Sequence, residues 1–172
     1  MNRRIVLGRI VLGVSAVTIW TCFLSGLAVA QKKTLKEQLV GSWLIVTADN
    51  IRPDGSRFQS LGPNPKGIMM FDANGWFSFQ IAQPGRPKFA SDNRLQGTAE
   101  ENKATVQGSL AYCGTYSVHN DMLVMRIEAS TYPNDEGAEQ RRAFTLSDGQ
   151  LTWKNPIVST GASGVATLRR VR

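Results

Sequence analysis

Eight short runs of alternating apolar and polar residues, each bounded by turn formers, follow one another from Trp43 to Val171. A period of two puts successive side chains on opposite faces of a strand. Hairpin-length turns pair each strand with the next. The runs cover 43–50, 67–71, 76–82, 111–118, 123–131, 139–146, 150–155 and 164–171. Between them lie Arg52-Pro53-Asp54-Gly55, Asp72-Ala73-Asn74-Gly75, His119-Asn120-Asp121, Pro133-Asn134-Asp135-Glu136-Gly137, Asp148-Gly149 and Ser159-Thr160-Gly161. This pattern predicts an all-β fold, an antiparallel up-and-down barrel of roughly eight strands whose closure leaves no sheet edge. An open sheet or a sandwich is the alternative. A barrel of about eight strands has an interior wide enough for one small ligand.

The pattern also predicts one short helix. Thr98-Ala99-Glu100-Glu101 is a capping box, in which the Thr hydroxyl accepts an N–H from three residues on and Glu101 reaches back. The helix should end near Gly108. Ala104 and Val106 give it few apolar residues, so it should lie on the barrel as a cover or plug.

The first thirty residues read as an export signal and not as part of the fold. Arg3, Arg4 and Arg9 form a basic start, an apolar stretch runs from Ile10 to Leu27, and Ala28-Val29-Ala30 is a small-x-small cleavage site. Cleavage after Ala30 would leave residues 31–172 as a single domain in the periplasm or outside the cell. An uncleaved anchor is the alternative, and the only membrane contact expected. Removing those three arginines takes 20 Lys and Arg to 17 against 13 Asp and Glu, a formal charge of +4 instead of +7. The positive residues are scattered and form no stripe interleaved with aromatics, which argues against a nucleic-acid partner. Cys113 alone remains downstream of the signal, so no internal disulfide can form and core burial must hold the fold. A small buried strand residue is the favoured reading of Cys113, with a reactive thiol as the other.

Strand parity selects the candidate site. Phe144 and Leu146 mark the inward face of 139–146, and Arg142 and Gln140 share it. An arginine inside a barrel is costly unless it meets a carboxylate or an anionic ligand. Its planar fork suits such a partner. Leu151, Trp153 and Asn155 face inward on the next strand, Phe77, Phe79 and Ile81 on 76–82, Tyr112 and Tyr116 on 111–118, and Leu123, Met125, Ile127 and Ala129 on 123–131. On the first strand Trp43, Ile45 and Thr47 share a face. Arg142, Gln140, Trp153, Asn155, Tyr112, Tyr116, Met125 and Phe79 thus outline an aromatic pocket with a few polar groups, as small-molecule sites are built. Ordinary core packing or a rim position is the competing reading for each. His119, the only histidine, sits in a turn with no ligand neighbours, so neither a metal nor a cofactor is expected. No nucleophile elbow or phosphate loop is present.

Several of these segments together resemble the bacterial lipocalin-like domain family. They are Leu39-Val40-Gly41-Ser42-Trp43, Pro63-Asn64-Pro65-Lys66-Gly67, Arg86-Pro87-Lys88-Phe89, Tyr112-Cys113-Gly114-Thr115-Tyr116, Pro133-Asn134 and Gly137-Ala138-Glu139-Gln140-Arg141-Arg142. The resemblance implies a calycin-type barrel whose closed end has Trp43 covered by Arg170. It also matches the family arginine to Arg142 and puts Met125 where many members carry histidine, so histidine-dependent chemistry is not expected. The reading that follows is an exported protein holding one small hydrophobic or amphipathic molecule, with Arg142 facing any anionic group. An isomerase or cyclase in the same pocket and a filled barrel acting through its surface are the alternatives. Because no titratable pair of unlike environment shares an inward face, binding is favoured over catalysis.

Overall fold

The computed structural model describes residues 33–171, and the expected export signal lies outside them. Nine strands are present: β1 (Gly41–Ile51), β2 (Arg57–Phe58), β3 (Lys66–Phe71), β4 (Trp76–Ala82), β5 (Ser109–His119), β6 (Met122–Ser130), β7 (Glu139–Ser147), β8 (Gln150–Asn155) and β9 (Ser163–Arg170). From β3 to β9 each strand pairs antiparallel with the next, and β1 closes the ring by pairing with both β3 and β9. The ring is therefore an eight-stranded up-and-down barrel. The two-residue β2 is an addition that the sequence pattern did not reveal; it pairs with the far end of β1 through Asn50↔Phe58 and Ile51↔Arg57.

Tight turns with backbone conformations suited to their residues set the hairpins. Asp148 and Gly149 both have positive φ, 49° and 75°, as a two-residue hairpin turn requires. At the β3–β4 turn only Gly75 has positive φ, and Asn74 does not. The Asp72 carboxylate completes that turn by accepting the Trp76 N–H at 2.8 Å.

Two α-helices occur among the described residues where one was expected. The helix α2 (Ala99–Gln107) has the Thr98 and Glu101 capping box and ends at Gly108. It has no buried residue and contributes nothing to the interior cavity described below, so it covers the outside and plugs nothing. The other, α1 (Leu35–Leu39), is a single turn with its own capping box, formed by Thr34 and Glu37. Its Leu39 is fully buried and seals one end of the barrel.

Two β-bulges shift strand parity. One lies between Ile45 and Thr47 of β1, so the inward set changes from Trp43 and Ile45 to Ala48 and Asn50, and Thr47 leaves the face of Trp43. The other lies in β6, where Ala129 pairs with Cys113 but Ile127 pairs with Gly114. Ala129 is consequently exposed and not inward. A Cβ on Gly114 would meet the Arg126 carbonyl oxygen at 2.0 Å, so only glycine lets the bulged backbone approach. Cys113 is exposed on the outer face, contrary to the buried position expected of it.

The interior divides into two halves. Met69, Leu123, Met125, Ile127, Leu151 and Leu168 are at most 1% exposed and, with Phe71, Phe77, Tyr116 and Phe144, belong to the packed core. Toward the other end the lining becomes Phe79, Tyr112, Arg142, Trp153, Asn155 and Asn50, and a cavity replaces packing. The β1–β3, β4–β5, β6–β7 and β8–β9 connections all emerge at that end, as alternating hairpins require. Among the described residues no helix is long and apolar enough to cross a membrane.

Candidate functional site

The cavity has a volume of about 120 Å³. One side is apolar, formed by Phe79 and Ile81 of β4, Leu110 of β5, Ile45 and Ala48 of β1, and Leu61. Phe79 stacks at a tilt on Tyr112, centroids 4.9 Å apart, and meets Trp153 edge-on at 6.2 Å. These aromatic contacts fix the walls without filling the space between them.

Arg142 occupies the polar side. It is 3% exposed, and no Arg142 nitrogen lies within 4 Å of a carboxylate oxygen among the described residues. One Nη donates to the Tyr112 hydroxyl at 2.7 Å and to Gln140 Oε1. The guanidinium carbon stands 5.0 Å from the Trp153 ring centroid and 5.9 Å from that of Tyr112, which gives the charge two aromatic faces. Arg142 Nε is fully buried and has no acceptor among the described residues. A guanidinium does not give up its proton in a protein. The arrangement therefore holds a charged donor ready for an oxygen that none of the described residues supplies.

Several groups in this lining escaped the sequence reading, Asn50 and Asp135 among them. Asn50 points inward because of the β1 bulge, and its Nδ2 donates to Ser60 Oγ at 2.9 Å. Nothing in the alternation of β1 announces that bulge. Asp135 lies in the 3-10 turn Pro133–Asp135 between β6 and β7, and it reads in the sequence as a turn former. In the fold it lines the cavity half-buried. Burial raises its carboxyl above the ordinary aspartate range, and the pull of Arg142 opposes this.

Six of the eight expected pocket residues line the cavity: Arg142, Gln140, Trp153, Asn155, Tyr112 and Phe79. Tyr116 and Met125 do not, although their parity is inward. Both lie in the packed half. Tyr116 packs edge-on against Phe71 at 4.9 Å and donates from its hydroxyl to the Asp72 carbonyl at 2.7 Å, and Met125 is 0% exposed. Burial raises the Tyr116 hydroxyl above its ordinary range, with a smaller contribution from Asp72. Parity separates inside from outside but says nothing about depth along the barrel axis.

The closed end is built around Trp43. Its Nε1 donates to the Leu39 carbonyl at 2.8 Å, and the Arg170 guanidinium lies 4.2 Å from the indole centroid. Arg170 also donates to the carbonyls of Val40, at 2.8 Å, and Gln38. Gly41 has φ +128°, and a Cβ there would come within 2.8 Å of Arg170 Nη1. The glycine of the Gly-x-Trp run is thus required by its backbone conformation, which L side chains rarely adopt. Among the described residues no three His, Cys, Asp or Glu side chains gather in a metal-holding group.

The chain is 30% identical over 95 residues to the 4'-hydroxy-3'-methoxypropiophenone carrier protein of Aspergillus oryzae, a match covering 49% of this chain and 85% of the relative. Among solved structures, a redesigned β-barrel aligns with TM-score 0.42 and 17% identity, covering 80% of this chain and 95% of that one. The fluorescent protein UnaG aligns with TM-score 0.38 and 15% identity, covering 78% and 98%. The lipocalin-like domain matches residues 40–170, nearly the whole of the described barrel, and the chain belongs to that family.

Proposed function

We propose that this protein is a carrier that holds one small, ring-sized hydrophobic or amphipathic molecule in the open half of its barrel, with an oxygen of that molecule seated on Arg142. The observation that carries this reading is the buried Arg142 guanidinium, whose Nε faces no acceptor while its neighbours form an aromatic cavity. The cavity size supports a compact ligand: an apolar space of about 150 Å³ admits benzene. The relative that is named as carrier of an aryl ketone fits the same chemistry, because a ketone or phenolic oxygen is an acceptor for a guanidinium. The ligand class is a small aromatic or alicyclic molecule with a carbonyl, phenolate or carboxylate oxygen.

Export belongs to the same proposal. The basic start, apolar stretch and Ala28-Val29-Ala30 ending support delivery to a periplasm or to the outside, with Gln31 as the new N-terminus.

Calorimetric titration with 4'-hydroxy-3'-methoxypropiophenone and with benzoate tests the reading, together with native mass spectrometry of the protein purified from its own host. Saturable binding at one site that weakens at least about tenfold in Arg142→Ala, a loss of roughly 1.4 kcal/mol or more, supports it. A wild-type protein that binds neither probe and carries no co-purifying small molecule rejects it.

A further inference from the structure

We propose that the pocket also transfers protons: Asp135 is a general base for the carbon next to a carbonyl whose oxygen rests on Arg142 and Tyr112. This rests on the reading of the cavity as a ligand site and adds a reaction to it. Arg142 and Asp135 line one cavity but do not collapse into an ion pair, since no Arg142 nitrogen lies within 4 Å of a carboxylate. A donor and a carboxylate that line one aromatic pocket without pairing can take a polarised carbonyl and its α-hydrogen respectively.

The remaining charged and titratable groups around the cavity are otherwise engaged. Asp49, at its rim, accepts from Gln59 Nε2 at 2.9 Å and lies 3.8 Å from Arg57. Glu136, beside Asp135 in the turn, accepts the Ser130 N–H at 3.2 Å. The Tyr112 hydroxyl accepts from Arg142, so its own hydrogen stays free for a ligand oxygen. Of the carboxylates in the lining, Asp135 alone has a side chain with neither a hydrogen bond nor an ion pair among the described residues, and it shares the lining with Arg142, Tyr112 and Gln140. Its partial burial strengthens it as a base, because a carboxylate with a raised pKa holds a proton better than one in water.

The step is an enolisation. The Asp135 carboxylate takes the α-hydrogen as a proton, and the C–H electron pair becomes the carbon–carbon double bond. The carbonyl π pair moves onto oxygen, where the Arg142 charge and the Tyr112 O–H stabilise it, as an oxyanion site does. Return of the proton from Asp135 to the same carbon regenerates the ketone, and return to a conjugated carbon isomerises it. No other reactant is consumed.

Incubating the protein with propiophenone in D2O and following the α-CH2 signal by NMR tests the proposal, with binding measured in parallel by calorimetry. The wild type is expected to exchange these hydrogens faster than buffer, at a rate that rises as Asp135 ionises. Asp135→Asn should lose about 100-fold of that rate when each protein is saturated with ketone, and Asp135→Glu should restore part of it. A ketone-saturated wild type that exchanges at the buffer rate overturns proton transfer and leaves the carrier reading standing. Undiminished exchange in Asp135→Asn also overturns the assignment. Absence of propiophenone binding overturns the enolisation and leaves the carrier reading to its own probes.

Discussion

Trp43 and Arg170 pair directly across the β1–β9 ladder that closes the barrel, and the Arg170 guanidinium covers the Trp43 indole at 4.2 Å. The same guanidinium donates to carbonyls at the end of α1, so one side chain ties together the first strand, the last strand and the helical seal. Arg170→Ala should therefore destabilise the fold by about 2–3 kcal/mol, the sum of a desolvated cation–π contact and charged hydrogen bonds. Urea denaturation measures it, and a midpoint unchanged from wild type would remove Arg170 from the account of the closed end.

Arg142 should behave in the opposite way. Its charge is buried without a carboxylate, so Arg142→Met, of similar reach, should leave the empty protein at least as stable, by up to about 2 kcal/mol. The same change should weaken ligand binding. Thermal unfolding with and without 4'-hydroxy-3'-methoxypropiophenone separates the effects, and a large loss of stability without ligand would show that Arg142 is a structural residue.

The two halves of the interior predict two kinds of truncation mutant. Met125→Ala removes a fully buried side chain from the packed half and should cost about 2–5 kcal/mol. Its affinity, measured well below the unfolding midpoint, should stay near that of wild type. Phe79→Ala widens the cavity wall and should change affinity and ligand size preference directly. Equal effects of the two on binding would contradict the division.

Asp135 predicts a pH dependence of stability with a definite sign. Its carboxyl is raised above the ordinary value of 3.8, so the unfolded chain ionises it more readily than the folded one. The stability this group contributes is present in full below pH 3.8 and is lost as pH rises through the higher folded value. The stability difference between Asp135→Asn and wild type should therefore shift in favour of the variant as pH rises from below 3.8 toward neutrality. Denaturation curves for both proteins across that range check it, and a constant difference would show that the folded carboxyl is unperturbed.

Much of the fold was legible because alternation and turn chemistry are local. The ends of β4 and β8 and the limits of α2 follow from runs such as Trp76–Ala82 and from the Thr98 capping box. The helix α1 carries an equally local signal, Thr34 three residues before Glu37, but Leu35, Leu39 and Val40 read in the sequence as one amphipathic turn, too short to count as a helix. The candidate site was legible only in part. Arg142, Gln140, Trp153 and Asn155 lie on regular strands, where parity holds without interruption from end to end.

Alternating residues and hairpin turns by themselves determined that this chain makes successive antiparallel strands, and they put Arg142 on the inward face; the β1–β9 pairing closed the ring. Each depends on neighbours a few residues apart, and such short-range forces are written directly in the chain. Only the tertiary structure decided where the barrel is packed and where it is hollow, because depth along its axis depends on strand tilt, on the sealing of one end by Leu39 and on bulges. One extra residue in β1 turned Asn50 inward, and the path of one turn carried Asp135 from the surface to the cavity. Those positions arise from contacts between residues far apart in sequence, which no periodicity encodes.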